Sequence, residues 1–110
     1  MNKKGSQGAM VVFCTVPSEV ARDIAGQIID KKLAACVNVF PVRSIFRWEG
    51  RICDDTEELL IIKTTCSAAD ELTKFLVSIH PYDLPEVLCL PVMSGHEEFL
   101  NWVAGEVDFN

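Results

Sequence analysis

The sequence is short of everything that marks a nucleic-acid, membrane or zinc-finger protein. Its 110 residues hold no Cys-x-x-Cys pair and no glycine-rich phosphate loop. No apolar run approaches the length of a bilayer span. Basic residues are outnumbered, ten Lys and Arg against sixteen Asp and Glu, for a net charge of -6. Duplexes and anionic membranes are held by Lys and Arg stripes that displace counterions, so neither nucleic acid nor a membrane is expected as a partner. The five cysteines, Cys14, Cys36, Cys53, Cys66 and Cys89, are an odd number at wide spacings, which fits neither a zinc knuckle nor a disulfide framework. Most sit in or beside apolar runs, where a free cysteine behaves as a small hydrophobe. A reducing, cytoplasmic setting is the expectation. Ser44 has no His and Asp near it in sequence, and nothing else suggests a catalytic group, so no enzyme is expected.

What is present is one ordinary domain: 49% hydrophobic and 24% charged residues suffice for a core of its own. Residues 1–8 lack the apolar centre of an export signal and read as a flexible lead, leaving 9–110 as the domain. Residues 9–14 form a continuous apolar run suited to a central strand covered on both faces. Pro17 and Ser18 then open a helix, Ser18 as cap, with Ile24 and Ile28 on its inner face and its end near Lys32. Ser67 and Asp70 suggest a capping box for a second helix, whose Leu72, Phe75, Leu76 and Ile79 fall at i, i+3, i+4 and i+7. It cannot pass His80-Pro81. Residues 87–92 read as a last strand, at an edge because of Pro91. Ser94 and Glu97 suggest a further capping box for a terminal helix with Phe99, Trp102 and Val103 on one face.

Residues 33–63 form the stretch to which the rest must adapt, two strands around a turn at Glu49-Gly50. From Leu33 to Trp48 is sixteen residues, and at about 3.3 Å each an unbroken strand would reach roughly 50 Å. A domain of this size has a radius of gyration of about 13 Å. Either Pro41 divides the strand or the tip projects, and both are expected. Beyond Pro41, Val42, Phe46 and Trp48 are apolar while Arg43, Arg47 and Glu49 are charged, so one face of the tip wants burial. Each large apolar side chain gains about 1.5–3 kcal/mol by full burial, and another subunit is the natural cover. The order β-α-β-β-α-β-α is an α+β, ferredoxin-like βαββαβ sandwich with a long projecting hairpin and an extra C-terminal helix.

Four ordered motifs carry a resemblance. Leu33-Ala34-Ala35-Cys36-Val37-Asn38, the tip Ser44-Ile45-Phe46-Arg47-Trp48-Glu49-Gly50, Glu57 leading into Ile61-Ile62-Lys63-Thr64, and His80-Pro81-Tyr82 with Pro85-Glu86 together resemble the CutA family of divalent-cation-tolerance proteins. The resemblance implies a homotrimer in which hairpins meet between subunits, and a link to copper and other divalent cations. It implies no defined catalytic activity. It also implies a copper site built from a cysteine at the end of the first strand and two adjacent histidines before Pro-Tyr. Here Cys14 and His80 match, but the neighbouring position is Ile79. At the tip, Phe46 stands where the family commonly has Tyr.

Each candidate residue has a functional and a structural reading. Cys14 and His80 are the soft and borderline donors that suit copper; equally, Cys14 suits the core and His80 suits a helix C-terminus. A two-donor site needs a third from a neighbour or water. Glu57, Lys63, Tyr82 and Glu86 would converge in a cleft, or Glu57 and Lys63 would form an ion pair while Tyr82 and Glu86 fix a loop. Phe46, Trp48 and Trp102 are expected at the trimer interface, and His96 in the exposed first turn of the last helix. Two functions follow: a copper-binding tolerance protein, or a scaffold or signalling trimer comparable to the PII proteins, with a small ligand or partner in its intersubunit clefts.

Overall fold

Alternation of apolar residues along two central strands fixes the architecture. The structure, a computed structural model, describes residues 8–108; the lead expected over 1–8 lies outside them, Gly8 excepted. The elements run β1 (Ala9–Val16), α1 (Ser18–Asp30), β2 (Cys36–Trp48), β3 (Arg51–Thr65), α2 (Cys66–Ile79), β4 (Val87–Pro91) and α3 (Glu97–Glu106). The strands form one antiparallel sheet in the order β2-β3-β1-β4. This is the expected sandwich with its extra helix.

Because side chains alternate across a strand, Val12, Cys14 and Val16 of β1 share one face with Leu60 and Ile62 of β3. Those five are fully buried with Ile24 and Ile28 of α1 and Leu72 and Leu76 of α2. The other face carries Phe13, paired with Ile61 and Leu88, and Leu59, paired with Phe40. It has no such cover. Phe40, Leu88 and Leu90 remain 43%, 54% and 41% exposed. The expectation that β1 is covered on both faces therefore holds for one face only, apart from the end where α3 sets Leu100 and Val103 against Val11 and Lys63.

Pro41 does not divide β2. The strand runs unbroken from Cys36 to Trp48, with Pro41 opposite Glu58. β2 is an edge strand, where a residue without an N–H is tolerated. The hairpin projects instead, and the molecule measures 50 × 25 × 21 Å. Its two-residue turn has positive φ at both central positions, 50° at Glu49 and 77° at Gly50, the pattern of a type I′ turn. The strand begins later than the sequence suggested. Leu33 and Ala34 are buried in the core, with Thr64 Oγ1 donating to the Leu33 carbonyl at 2.7 Å and Ala35 N–H to the Lys63 carbonyl at 2.9 Å.

The helix ends differ from the expected caps. Pro17, not Ser18, is the N-cap of α1, and Ser18 Oγ donates to Glu58 Oε2 at 3.2 Å. The helix stops at Asp30 because Lys32 takes a left-handed φ of 58°, and the bonds Lys32 N–H to Ile29 and Leu33 N–H to Ile28 complete a Schellman close. Thr65 caps α2 in place of Ser67, and His96 caps α3 in place of Ser94. The first turn of α3 still holds Glu97 and Glu98, the charge its dipole favours. Its buried stripe is Leu100, Val103 and Ala104. Phe99 and Trp102 lie side by side, ring centroids 5.7 Å apart, and half-exposed.

Candidate functional site

Two neighbouring places gather the sequence candidates, both at the end of the sheet where β1 gives way to α1 and where α2 ends. At the first, the Pro81 ring stops α2 and His80 turns out of the helix, its backbone extended at ψ 135°. Its Nε2 lies 2.8 Å from the Thr15 carbonyl oxygen, and its Nδ1 lies 3.1 Å from the backbone N–H of Tyr82. An N–H can only donate, so Nδ1 is the acceptor and the proton sits on Nε2, donated to Thr15. Both ring nitrogens are engaged. Cys14 is wholly buried beneath the helices, and its thiol reaches the same Thr15 oxygen at 3.9 Å. Burial first, then the carboxylates of Glu86 and Glu57, push that thiol up to about 12.

Copper would need a thiolate and an imidazole lone pair at once. Cys14 and His80 as arranged offer neither, and the described residues include no grouping of three His, Cys, Asp or Glu side chains placed around an ion. The resting pair does not fit a copper ion.

The second place is a groove of about 390 Å³ between the hairpin tip and the turn after α2. The pleat of β2 sends Phe46 and Trp48 to one face, and the register Phe46↔Cys53 and Val42↔Glu57 puts Cys53, Asp55 and Glu57 of β3 on that same face. Pro81, Tyr82, Asp83 and Leu84 form the other wall. The Tyr82 hydroxyl donates to Glu57 Oε2 at 2.6 Å and so fastens the two walls together. Burial, the Glu57 hydrogen bond, and the nearby charges of Glu57, Asp55 and Glu19 hold that hydroxyl well above its usual range. Glu57 is 6% exposed, a carboxylate nearly withdrawn from water and held by this bond. The His80 and Tyr82 rings lie 4.7 Å apart, which couples the groove wall to the first place.

Of the four expected cleft residues, Glu57 and Tyr82 meet, Glu86 is exposed beside Cys14, and Lys63 is elsewhere. The Glu57–Lys63 ion pair is absent: Lys63 Nζ donates to Asn38 Oδ1 and lies 4.0 Å from Cys36 Sγ. Phe46 and Trp48 sit on the groove wall, both about two-fifths exposed, and Trp102 is half-exposed on α3. His96 is exposed as expected, with Nε2 3.5 Å from Glu98. Cys53, Asp55, Asp83 and Leu84 were not singled out from the sequence. Their signal was available, since odd positions of β3 share a face with Glu57 and residues 83–84 follow Tyr82 directly.

The sequence profile of the CutA1 divalent ion tolerance protein family matches residues 10–106. A divalent-cation tolerance protein CutA of Thermus thermophilus is 46% identical over 95 residues, covering 84% of this chain and 92% of that protein. The chloroplastic CutA 1 of rice is 47% identical over 97 residues; the match covers 86% of this chain but only 55% of that protein, so this chain spans about half of its length. Among solved structures, one described as the PII-like protein CutA of Nostoc sp. PCC 7120 in apo form superposes with a TM-score of 0.88 at 29% identity, covering 92% of this chain and 99% of that one.

Proposed function

The chain belongs to the CutA1 divalent ion tolerance family, and from that premise we propose that it serves divalent-cation tolerance in the cytoplasm as a homotrimer that catalyses no reaction. The observation that carries this reading is the uncovered face of the sheet. Phe13, Phe40, Leu59, Ile61, Leu88 and Leu90 share it through strand pairing, and three of them are more than two-fifths exposed. A contiguous apolar face of this kind marks a surface made for association. Other copies of the chain are its natural cover, and the number three follows the family resemblance. The cytoplasmic assignment is supported by five cysteines without a disulfide.

Copper is the divalent cation put forward first. Cys14 and His80, the soft donors that the resemblance puts forward, are both engaged with Thr15 and as arranged do not hold the ion. The tolerance role accordingly rests on the assembly and not on a preformed centre. Sedimentation at micromolar concentration is expected to give the mass of three chains, and cells lacking the protein should be more sensitive to copper. A compact monomer would remove the assembly, and unchanged copper sensitivity would remove the role.

A second reading is favoured by the groove. Its walls, Phe46 and Trp48 against Tyr82 with Glu57 between, are already formed within one chain. Such a groove suits a small ligand, which would make the trimer a PII-like scaffold. A metabolite that raises the melting temperature where copper does not would support this reading; protection by copper alone would count against it.

A further inference from the structure

The groove has a chemical bias that its shape alone does not specify. Three of its lining residues are aromatic, Phe46, Trp48 and Tyr82, and two more, Pro81 and Leu84, are apolar. Three are carboxylates, Asp55, Glu57 and Asp83, and among the described residues no Lys, Arg or His lines it. Aromatic faces carry a negative quadrupole and attract cations, most strongly where water is thinned. Carboxylates add to the same field. An anion would meet three like charges with no base to offset them, and a neutral molecule would leave the carboxylates without a counter-charge.

The kind of cation is narrowed by the other residues. A divalent ion wants several oxygen ligands at once, but one oxygen of Glu57 is committed to the Tyr82 hydroxyl, and the described residues place no three His, Cys, Asp or Glu side chains around a common point. An organic ammonium has different needs. It presents methyl or methylene groups to aromatic walls and a diffuse charge to carboxylates that need not coordinate it. A volume of about 390 Å³ lies within the range of small-molecule sites.

We infer that the groove between the hairpin tip and the 81–84 turn binds a small organic ammonium compound, its charged end against Asp55 and Asp83 and its alkyl surface on Phe46, Trp48 and Tyr82. This rests on the ligand-groove reading and names the ligand class.

The test is calorimetry on the full chain in its native assembly, with choline as the probe, 3,3-dimethyl-1-butanol as its neutral isostere and acetate as an anion. Saturable choline binding is expected, with the isostere at least fivefold weaker and acetate silent. The double variant Asp55→Asn/Asp83→Asn alters two exposed side chains and should weaken choline at least fivefold while leaving the melting temperature and sedimentation unchanged. Equal binding of choline and its isostere, or equal binding to wild type and double variant, overturns the assignment. Acetate binding in place of choline would keep the groove as a ligand site and refute its class, and silence from all three probes overturns the class. None of these results bears on trimer mass or copper sensitivity, which test the tolerance reading separately.

Discussion

Cys14 and His80 share one acceptor: the thiol and the imidazole Nε2 both reach the Thr15 carbonyl oxygen, at 3.9 Å and 2.8 Å. The two residues that resemblance puts forward for copper are thus joined through the C-terminal end of β1. Copper affinity of the reduced protein is expected to be nearly the same in wild type and Cys14→Ser, measured by competition with a chelator. A tenfold loss, about 1.4 kcal/mol, would put the sulfur in the copper site despite its burial.

The same burial sets a pH dependence. The Cys14 thiol is pushed from 9.0 up to about 12 by burial first and by Glu86 and Glu57 next. A folded value above the unfolded one means that the stability associated with Cys14 is intact below about pH 9 and is lost as pH rises toward 12. The slope for one such group is at most about 1.4 kcal/mol per pH unit. Urea midpoints between pH 8 and 11 should fall less steeply for Cys14→Ala than for wild type. Parallel curves would show that the thiol does not contribute.

Tyr82 and Glu57 act as a clasp. Tyr82→Phe leaves a nearly buried carboxylate without its donor and should cost about 1.5–3 kcal/mol. Adding Glu57→Gln should recover part of that loss, because the unpaired charge is gone. Chemical denaturation of the two single variants and the double variant gives the coupling, and strictly additive losses would mean that the bond does not form in solution.

Leu88 tests the uncovered face. It is 54% exposed in the single chain, so Leu88→Glu should fold with little change in circular dichroism. In an assembly it would bury a charge among Phe13, Ile61 and their counterparts, and sedimentation should shift to the mass of one chain. An intact trimer would place the interface elsewhere.

At the hairpin turn, Glu49 holds φ at 50°, a conformation that costs a glutamate more than an asparagine. Glu49→Asn should stabilise the protein by about 0.5 kcal/mol, within the range of well-matched turn substitutions. A lower melting temperature would mean that the glutamate side chain makes a contact of its own.

The long hairpin, its turn and the helix over Leu72 to Ile79 were legible because each is written in local periodicity or in backbone demands that Gly50 and Pro81 make plain. The helix caps were not. Ser18, Ser67 and Ser94 each had the residue type of a cap, yet β1 runs to Val16 and β3 to Thr65, so the caps of α1 and α2 fall on Pro17 and Thr65, and that of α3 falls on His96. Glu57 and Tyr82, expected to converge, meet through a hydrogen bond. Lys63 was not one of them, and strand geometry says why: six residues along β3 from Glu57 is roughly 20 Å. The groove's second carboxylate, Asp55, lies one pleat from Glu57 on the same face of β3, a relation that the two-residue repeat of a strand already contains. The commitment of both His80 nitrogens depends on the path of the backbone after Pro81, and no pattern in the sequence encodes it.

Pro41 has an effect on how copies of this chain can meet. It sits within a ladder that continues on both sides of it, so its nitrogen must face away from β3, toward the open edge. That edge, thirteen residues long, therefore lacks one donor near its middle, and an incoming strand can zip along the Cys36 side or along the Trp48 side but not through both. Strand-on-strand growth into fibrils is weakened at its template, because the longest bare margin of the sheet is interrupted where an added strand would need it continuous.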